Sequence, residues 1–155
     1  MRSAYDAKEN GICQQSACDA TIVVDVANVM GSRPDGWWRD RPGAAVRLHA
    51  ELAALASKDR PVLPGDTEPE EFVMVLEGAT KAAAARIEAA PEAGANLVRV
   101  VQARGSGDDA IVALVRELSG RRVVVTADRE LRRRCEAAGA EVFGPSWLIG
   151  LVRES

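Results

Sequence analysis

The sequence predicts an α/β protein in which a parallel β-sheet is covered by helices on both faces, and three observations support this fold class. From residue 21 onward, short apolar runs alternate with segments of helical periodicity. The apolar runs are hydrophobic at nearly every position, which is typical of strands that are buried on both faces of a sheet. The chain has 155 residues, of which 47% are hydrophobic, so it is long enough for one compact domain and too short for two.

Five strands are predicted from the apolar runs, at residues 21–26, 72–76, 97–101, 122–126 and 141–143. Five helices fit between and after them, at residues 42–57, 79–90, 108–118, 128–138 and 145–152. Pro42 suits the first turn of a helix, and Gly120 and Gly139 are typical of positions where helices end. Residues 59–70 read as a proline-rich loop and residues 1–20 as a polar tail, so the domain is placed at residues 21–155.

Composition restricts the function only in part. The net charge of -3 and the pI near 5.3 argue against a strongly basic coat protein for nucleic acid, but they leave room for a local basic patch. No apolar run is long enough to span a membrane, and residues 1–20 lack the apolar core of a signal peptide, so we predict a cytoplasmic protein with no membrane partner. Cys13, Cys18 and Cys135 lack zinc-site spacing and are predicted to be reduced thiols. The assembly state is left open, with a homodimer as one option.

Carboxylates occur at two of the predicted strands. Asp25 interrupts the apolar run TIVVDV, where a buried carboxylate is costly unless a cation or hydrogen-bond donors compensate it. Asp128 follows the run VVVTA and opens the next predicted helix, with Leu131 and Cys135 on the same helix face. Two interpretations stay open for each aspartate, a cap of the following turn or helix and a functional ligand. Asn28 is likewise either a turn residue or a second polar ligand.

More acids lie after the second strand and at the start of the third helix. Ser106 and Asp109, in the segment GSGDDAIVALV, have the spacing of a capping box, which gives Asp109 a structural explanation. Asp108 precedes Ile111 by three residues, which directs it towards the sheet and towards Asp25. Glu77 directly follows the second strand, and an exposed surface charge is its other interpretation.

The carboxyl ends of parallel strands meet at one edge of a sheet, so we expect these acids to lie together. Three or four carboxylates at one edge repel each other unless a divalent cation neutralises them. Oxygen ligands favour Mg²⁺ or Mn²⁺ over zinc. Such ions serve the hydrolysis of phosphoesters, because they activate water and stabilise charge on the phosphate.

The sequence contains three motifs, VVDVANVMGS, RGSGDDAIVALV and VVVTADREL, which resemble those of the PIN-like nuclease superfamily and of its NYN-type domains in particular. VVDVANVMGS resembles the first-strand Asp and nearby Asn of NYN domains. RGSGDDAIVALV is similar to the acidic third-helix motif of PIN-like nucleases, and VVVTADREL is similar to their late-strand Ser/Thr-x-Asp signature. The resemblance covers residues 21 to about 145.

The resemblance implies a three-layer, Rossmann-like α/β/α fold whose parallel sheet has the strand order 3-2-1-4-5. It also implies a ribonuclease that cuts RNA, taken here as single-stranded, with Mg²⁺ or Mn²⁺ as cofactor. The metal ligands that it implies are Asp25, Asp108 and Asp128, with Asp109 and Glu77 as additional ones. The catalytic residues that it implies are Asp25, Asp108, Asp128 and Asn28.

The segment GSRPDGWWRDRPG departs from the family pattern, because it is longer and richer in Trp and Arg than the usual turn after the first strand. Arginines attract phosphates and indoles stack on bases, so this segment is the predicted substrate contact. The candidate substrate-binding residues are Arg33, Trp37, Trp38, Arg39, Arg41 and Arg129. Packing of the loop onto the domain is the alternative for the tryptophans, and a solvated helix face is the alternative for the arginines of residues 129–134.

Two related functions stay open, a catalytically degenerate RNA-binding module and a nucleotide pyrophosphohydrolase that uses the same acids. RELRRRCEAAG resembles the Nudix box of pyrophosphohydrolases, but Arg133 and Arg134 stand where that box needs glutamates. A phosphoacceptor receiver domain needs an Asp after the third strand, where this sequence has Gln102. Serine or cysteine hydrolysis is poorly supported, since His49 lies inside the first helix.

Overall fold

A five-stranded parallel sheet organises the protein, for which a computed structural model describes residues 20–58, 63–65, 68–69, 71–89 and 93–154. The strands are β1 (Ala20–Asp25), β2 (Glu71–Leu76), β3 (Val98–Gln102), β4 (Arg121–Val125) and β5 (Glu141–Phe143). Their order is β3-β2-β1-β4-β5, which confirms the predicted fold class and strand order. The predicted tail lies outside the described residues except for Ala20, as do Cys13, Cys18 and residues 59–62, 66–67 and 70 of the predicted loop.

The central position of β1 determines where the acidic residues meet. β1 pairs in parallel with β2 on one side, where Asp25 lies opposite Val75, and with β4 on the other, where Val24 lies opposite Val125. Asp25 is the last residue of β1. The loops that follow β2 and β4 therefore leave the sheet beside it, at the same edge.

Helices occupy the connections between the strands. They are α1 (Val26–Gly31), α2 (Arg41–Lys58), α3 (Ala83–Ala89), α4 (Gly107–Glu117), α5 (Arg129–Ala137) and α6 (Pro145–Glu154). Short 3₁₀ turns cover Trp37–Arg39, Gly78–Ala82 and Ala95–Leu97. In the ranges that the structure describes, no helix has both the length and the apolar character needed to cross a membrane.

The sheet separates two hydrophobic cores, and alternate residues of β1 point into each. Ile22 lies in one core together with Leu48 of α2 and Leu148 of α6. Val23 lies in the other, with Ile111 of α4. Burial of each such side chain stabilises the fold by roughly 1.5–3 kcal/mol. The sheet and the helices packed on its two faces form the three layers that the sequence predicts.

The second core also contains Leu131 and Cys135 of α5, which are fully buried. This confirms that α5 packs on the sheet through the face predicted from the spacing of these residues. α5 begins at Arg129 and has Asp128 as its N-cap. Asp128 thus sits where the face that packs on the sheet meets the carboxyl edge of β4.

The sequence did not predict α1. It extended the first strand to Val26, whereas the strand ends at Asp25 and the chain turns at once into a six-residue helix. The reason is the Asp25 carboxylate, which accepts a hydrogen bond from the Asn28 N–H and caps that helix. Asp25 therefore ends the strand and does not interrupt it.

The single helix predicted at residues 79–90 is divided into a 3₁₀ turn and α3, which ends at Ala89. The division occurs because the Thr80 hydroxyl bonds the backbone of Glu77, accepting from its N–H and donating to its carbonyl oxygen. The predicted start at Pro42 is one residue late, since α2 begins at Arg41. There the Asp40 side chain accepts from the Gly43 N–H at 3.0 Å.

Gly94 supplies a test of the packing of α2 against the turn that precedes β3. Its φ is +86°, and a Cβ at this position would lie 2.3 Å from the Ala53 carbonyl oxygen. Gly94→Ala should therefore destabilise the protein by more than about 2 kcal/mol in urea unfolding, because a positive φ and a backbone clash act together. Gly78→Ala is the matched control, since Gly78 has a φ of +56° and no atom within 4 Å of the added Cβ. Equal losses for the two variants would contradict the close approach.

Candidate active site at the carboxyl edge of the sheet

Asp25 is a buried carboxylate at the centre of the edge. It is 7% exposed, and within the described ranges it forms no ion pair. The Thr126 hydroxyl donates to its Oδ2 at 2.8 Å, and the Asn28 N–H donates to its Oδ1 at 3.4 Å. Two neutral donors thus face a charge that has been taken out of water.

Three further hydrogen bonds join the end of β1 to the start of α5. Thr126 Oγ1 accepts from the Asp128 N–H at 3.1 Å, and Asn28 Oδ1 accepts from the Ala127 N–H at 2.8 Å. Asp128 Oδ1 accepts from the Leu131 N–H at 2.9 Å. The cap interpretation of Asp128 is therefore confirmed for this oxygen. In the described ranges its Oδ2 has no hydrogen-bond partner, so the same side chain keeps one oxygen for another role.

The electrostatics show that the acids are close enough to act on each other. Burial raises the pKa of Asp25 to about 6, opposed by the hydrogen bonds from Thr126 and Asn28, while the charges of Asp108 and Glu77 raise it further. Burial likewise raises the pKa of Asp108, and the charges of Asp128 and Glu77 add to the effect. The structure thus brings Asp25, Asp108, Asp128 and Glu77 into one acidic edge.

Asp109 and Glu77 have other partners. The exposed Asp109 carboxylate accepts from Arg134 of α5 at 2.9 Å, and this hydrogen bond lowers its pKa. The Asp109 N–H donates to Ser106 Oγ at 3.1 Å, which is the N-cap half of the predicted capping box. The Glu77 carboxylate accepts from the N–H of Gly107.

The acidic edge has the donor chemistry of a site for a divalent metal ion. Carboxylate oxygens are the ligands that Mg²⁺ and Mn²⁺ prefer, and a cation would offset both the burial and the mutual repulsion of Asp25 and Asp108. Among the residues that the structure describes, no three His, Cys, Asp or Glu side chains are close enough together to form a metal site. The chemistry of the edge fits the ion, and the side chains would have to move closer together to ligate it.

The two tryptophans of the predicted substrate segment differ in environment. Trp37 packs against the core that contains α2, whereas Trp38 is 54% exposed and is the one exposed large hydrophobic residue of the described ranges. The guanidinium groups of Arg39 and Arg41 lie 5.8 Å and 5.4 Å from the ring centres of Trp38 and Trp37. The packing interpretation therefore applies to Trp37. Trp38 is exposed, although Trp37 contacts it edge to face with ring centres 6.1 Å apart.

The candidate arginines also differ. Arg33 is 16% exposed and forms a two-pronged pair with Glu51 of α2, with bonds of 2.7 and 3.3 Å. Arg129 is exposed beside Asp128 and forms no ion pair within the described part of the chain. A phosphate would have to displace Glu51 to reach Arg33, whereas Arg129 is available.

Two potentially reactive side chains, Cys135 and His49, are buried. Cys135 is buried in the core, and this burial raises the pKa of its thiol to about 11. His49 is also buried, at 3% exposure.

Thr126 and Gly107 are parts of the site that the sequence analysis did not assign. Thr126 belongs to the motif VVVTADREL, so its signal was present as the Thr two residues before Asp128. Gly107 had no comparable signal, because its importance arises from Glu77, which is 30 residues away in the chain.

Comparisons with known proteins agree with this architecture. The model of a family described as PIN like domain matches residues 42–144. The structure is similar to that of Rae1 (YacP) from Bacillus subtilis, solved as a W164L mutant, with a TM-score of 0.64 and 17% sequence identity. The similarity covers 87% of this chain and 76% of that one, and at this identity it shows the fold alone. A comparison with curated proteins gives no match.

The raised pKa of Asp25 gives a pH-dependent prediction for the metal-free protein. Its value rises from 3.8 to about 6 on folding, so the neutral acid is compatible with the fold and the charged form opposes it. The free energy of unfolding of the wild type should fall, relative to that of Asp25→Asn, as the pH rises from about 4 to 7. Over this pH range, the difference in the free energy of unfolding between the wild type and Asp25→Asn should change by about 3 kcal/mol in total.

Chemical unfolding in EDTA at several pH values measures this difference. Asp109→Asn is the control of opposite sign, since the pKa of Asp109 is lowered in the fold and its charge favours the folded state as the pH rises. A pH-independent difference between the wild type and Asp25→Asn would contradict the burial of a charged Asp25.

Proposed function

The chain belongs to the PIN-like domain family, and from this premise we propose that it is a ribonuclease that hydrolyses phosphodiester bonds with Mg²⁺ or Mn²⁺. The observation that carries the proposal is the burial of Asp25 with no cationic partner among the described residues, next to other acids that raise its pKa. A fold gains no stability from such an arrangement. A bound cation would compensate the buried charge of Asp25 and the repulsion between the acids, so metal binding explains the arrangement.

Asp25, Asp108 and Asp128 are the proposed ligands. When bound, the metal ion supplies a nucleophilic water at neutral pH and stabilises charge on the scissile phosphate. Thr126 orients Asp25 through its hydroxyl and Asp128 through the N–H that it accepts. Asn28 holds the loop after β4 through Ala127, so its proposed catalytic contribution is to keep the ends of β1 and β4 in register.

RNA is the proposed substrate. Trp38 offers an exposed indole with Arg39 over its ring, which suits a base and its phosphate. Arg129, exposed beside Asp128, is placed to attract the phosphate of the strand that enters the acidic edge. The NYN-type subfamily, the cytoplasmic location and the homodimer stay predictions from the sequence.

A second candidate is an RNA-binding module that has lost catalysis. The observation that favours it is the absence, in the described ranges, of three acids close enough for metal binding. The two functions differ in turnover, because both use Trp38 and the arginines but only the nuclease needs Asp25 and Asp108. The nucleotide pyrophosphohydrolase would use the same acids and would be indifferent to Trp38.

Loss of one proposed ligand should abolish cleavage. Asp25→Asn and Asp108→Asn should each reduce the Mn²⁺-dependent cleavage of a short single-stranded RNA by more than about 100-fold, since even residues that only orient ligands are worth 10 to 100-fold. Mn²⁺ should raise the Tm of the wild type and have a much smaller effect on either variant. Asp109→Asn is the matched control, because its carboxylate pairs with Arg134 and both effects should be retained.

Metal-dependent cleavage by Asp25→Asn at the wild-type rate would contradict the assignment. Wild-type protein that binds RNA without cleaving it, with or without metal, would favour the RNA-binding module instead.

Trp38 should contribute to RNA affinity and Trp37 to stability. Trp38→Ala should weaken RNA binding by about 5 to 150-fold, which corresponds to roughly 1–3 kcal/mol of stacking. It should lower the urea midpoint less than Trp37→Ala does, because Trp38 is exposed and contacts Trp37 and Arg39 at the surface. Trp37→Ala should lower the midpoint, because this indole packs on the core. Fluorescence anisotropy with a labelled RNA in EDTA measures binding without cleavage. An unchanged RNA affinity of Trp38→Ala would contradict the proposed stacking of a base on Trp38.

A further inference from the structure

Glu77 and Gly107 are in contact across the end of the β2–β3 pair. The Gly107 N–H donates to Glu77 Oε1, although the residues are 30 positions apart in the chain. A Cβ added at residue 107 would lie 2.0 Å from this oxygen and 3.0 Å from the carboxyl carbon. The carboxylate therefore rests directly on the backbone, and only glycine leaves room for it.

The backbone around Glu77 is itself held in place. The Glu77 N–H donates to Thr80 Oγ1 at 3.0 Å, and the Thr80 hydroxyl donates to the Glu77 carbonyl oxygen at 2.6 Å. Thr80 is buried. A carboxylate whose own residue is fixed in this way can fix another segment in turn.

Two more bonds join the segment after β2 to the segment after β3. The Ala103 N–H donates to the Leu76 carbonyl oxygen at 2.8 Å, and Lys81 Nζ donates to the Ala103 carbonyl oxygen at 2.9 Å. These two bonds hold the Ala103 end of residues 103–107, and the Glu77 contact holds the Gly107 end. This segment delivers the chain to the first turn of α4.

We propose that Glu77 is a positioning residue, whose carboxylate accepts the Gly107 N–H and thereby holds the first turn of α4 so that Asp108 faces the acidic edge. Gly107 is the first residue of α4 and Asp108 the second. The negative charge of Glu77 also lies at the N-terminal, electropositive end of this helix. The effect on catalysis rests on the proposed nuclease function, whereas the contact itself does not.

The role of a positioning residue and that of a metal ligand make different demands on the side chain. A carboxylate ligand to Mg²⁺ or Mn²⁺ binds the ion largely through its negative charge, which the neutral amide of glutamine lacks. An acceptor for a backbone N–H needs only an oxygen at the same place, which the amide of glutamine provides. Glu77→Gln therefore separates the two roles, while Glu77→Ala removes both.

The experiment compares Glu77→Gln, Glu77→Ala, Gly107→Ala and the double variant Glu77→Ala/Gly107→Ala. In metal-free protein, hydrogen exchange of the Gly107 amide should be at least about 10-fold faster in Glu77→Ala than in the wild type, and close to the wild type in Glu77→Gln. With Mn²⁺ and RNA, Glu77→Gln should cleave within about 3-fold of the wild type. Glu77→Ala and Gly107→Ala should lose about 10 to 100-fold.

The double variant tests whether the two residues act through one contact. Because the Cβ that Gly107→Ala adds clashes with the Glu77 carboxylate, this substitution should cost little once Glu77→Ala has removed that carboxylate. The double variant should then match Glu77→Ala in both cleavage and Mn²⁺-induced Tm shift. Additive losses would overturn the proposal.

Two other results would also overturn it. One is a Glu77→Gln variant that loses cleavage and the Mn²⁺-induced Tm shift as fully as Glu77→Ala, which would make Glu77 a ligand. The other is Gly107 exchange that is unchanged in Glu77→Ala. If the wild type cleaves no RNA, the proposed function fails, and the exchange measurement still decides the contact between Glu77 and Gly107.

Discussion

The carboxylate of Asp25 is held out of water at the end of the central strand, and the arrangement of the carboxyl edge follows from this burial. β1 lies between β2 and β4, so the segments that follow those two strands lie beside Asp25, together with Asn28 of α1 and Asp108 of α4. One loop supplies the Thr126 hydroxyl as a hydrogen-bond donor, and the other supplies the charge of Glu77, which opposes ionisation. The buried apolar residues along β1, such as Ile22 and Val23, stabilise a strand that ends in an unfavourable charge.

Capping and ligation, which compete as explanations in the sequence, are compatible in the structure because a carboxylate has two oxygens. One oxygen of Asp25 accepts from Asn28, one of Asp128 accepts from Leu131, and one of Glu77 accepts from Gly107. Each of these bonds goes to a backbone N–H and fixes the side chain relative to a turn or helix. In Asp25 the second oxygen accepts from the Thr126 hydroxyl, whereas in Asp128 the second oxygen has no partner among the described residues. Side chains that are held in a defined direction in this way are preorganised, as a metal site or a catalytic site requires.

The fold was predictable because burial on both faces leaves a strong mark on composition. β1 and β2 are runs of mostly apolar residues that are buried at nearly every position, and such runs can be recognised in the sequence before the pairing of the strands is known. The edge strands β3 and β5 are more exposed, and shorter apolar runs identify them. α1 was not predictable in this way, because VANVMG continues the apolar run of β1 and its start depends on the cap made by Asp25. The sequence also could not show that Trp37 packs against the core while Trp38 is exposed. The two are neighbouring residues of a 3₁₀ turn, and their side chains point in different directions.

The location of the acidic edge follows from the strand ends, but its contacts follow from register, which local spacing does not encode. Asn28 meets Ala127 and Thr126 meets Asp25 because β1 and β4 pair with one particular alignment. A slip of one residue would turn every side chain of the strand to the opposite face. The two cores therefore fix this register through residues such as Ile22 and Val23, which each fit only one side of the sheet. The same apolar packing that makes the fold recognisable in the sequence thus also sets the geometry of its acids. Bringing the acids together costs free energy, and the stability of the two cores offsets this cost.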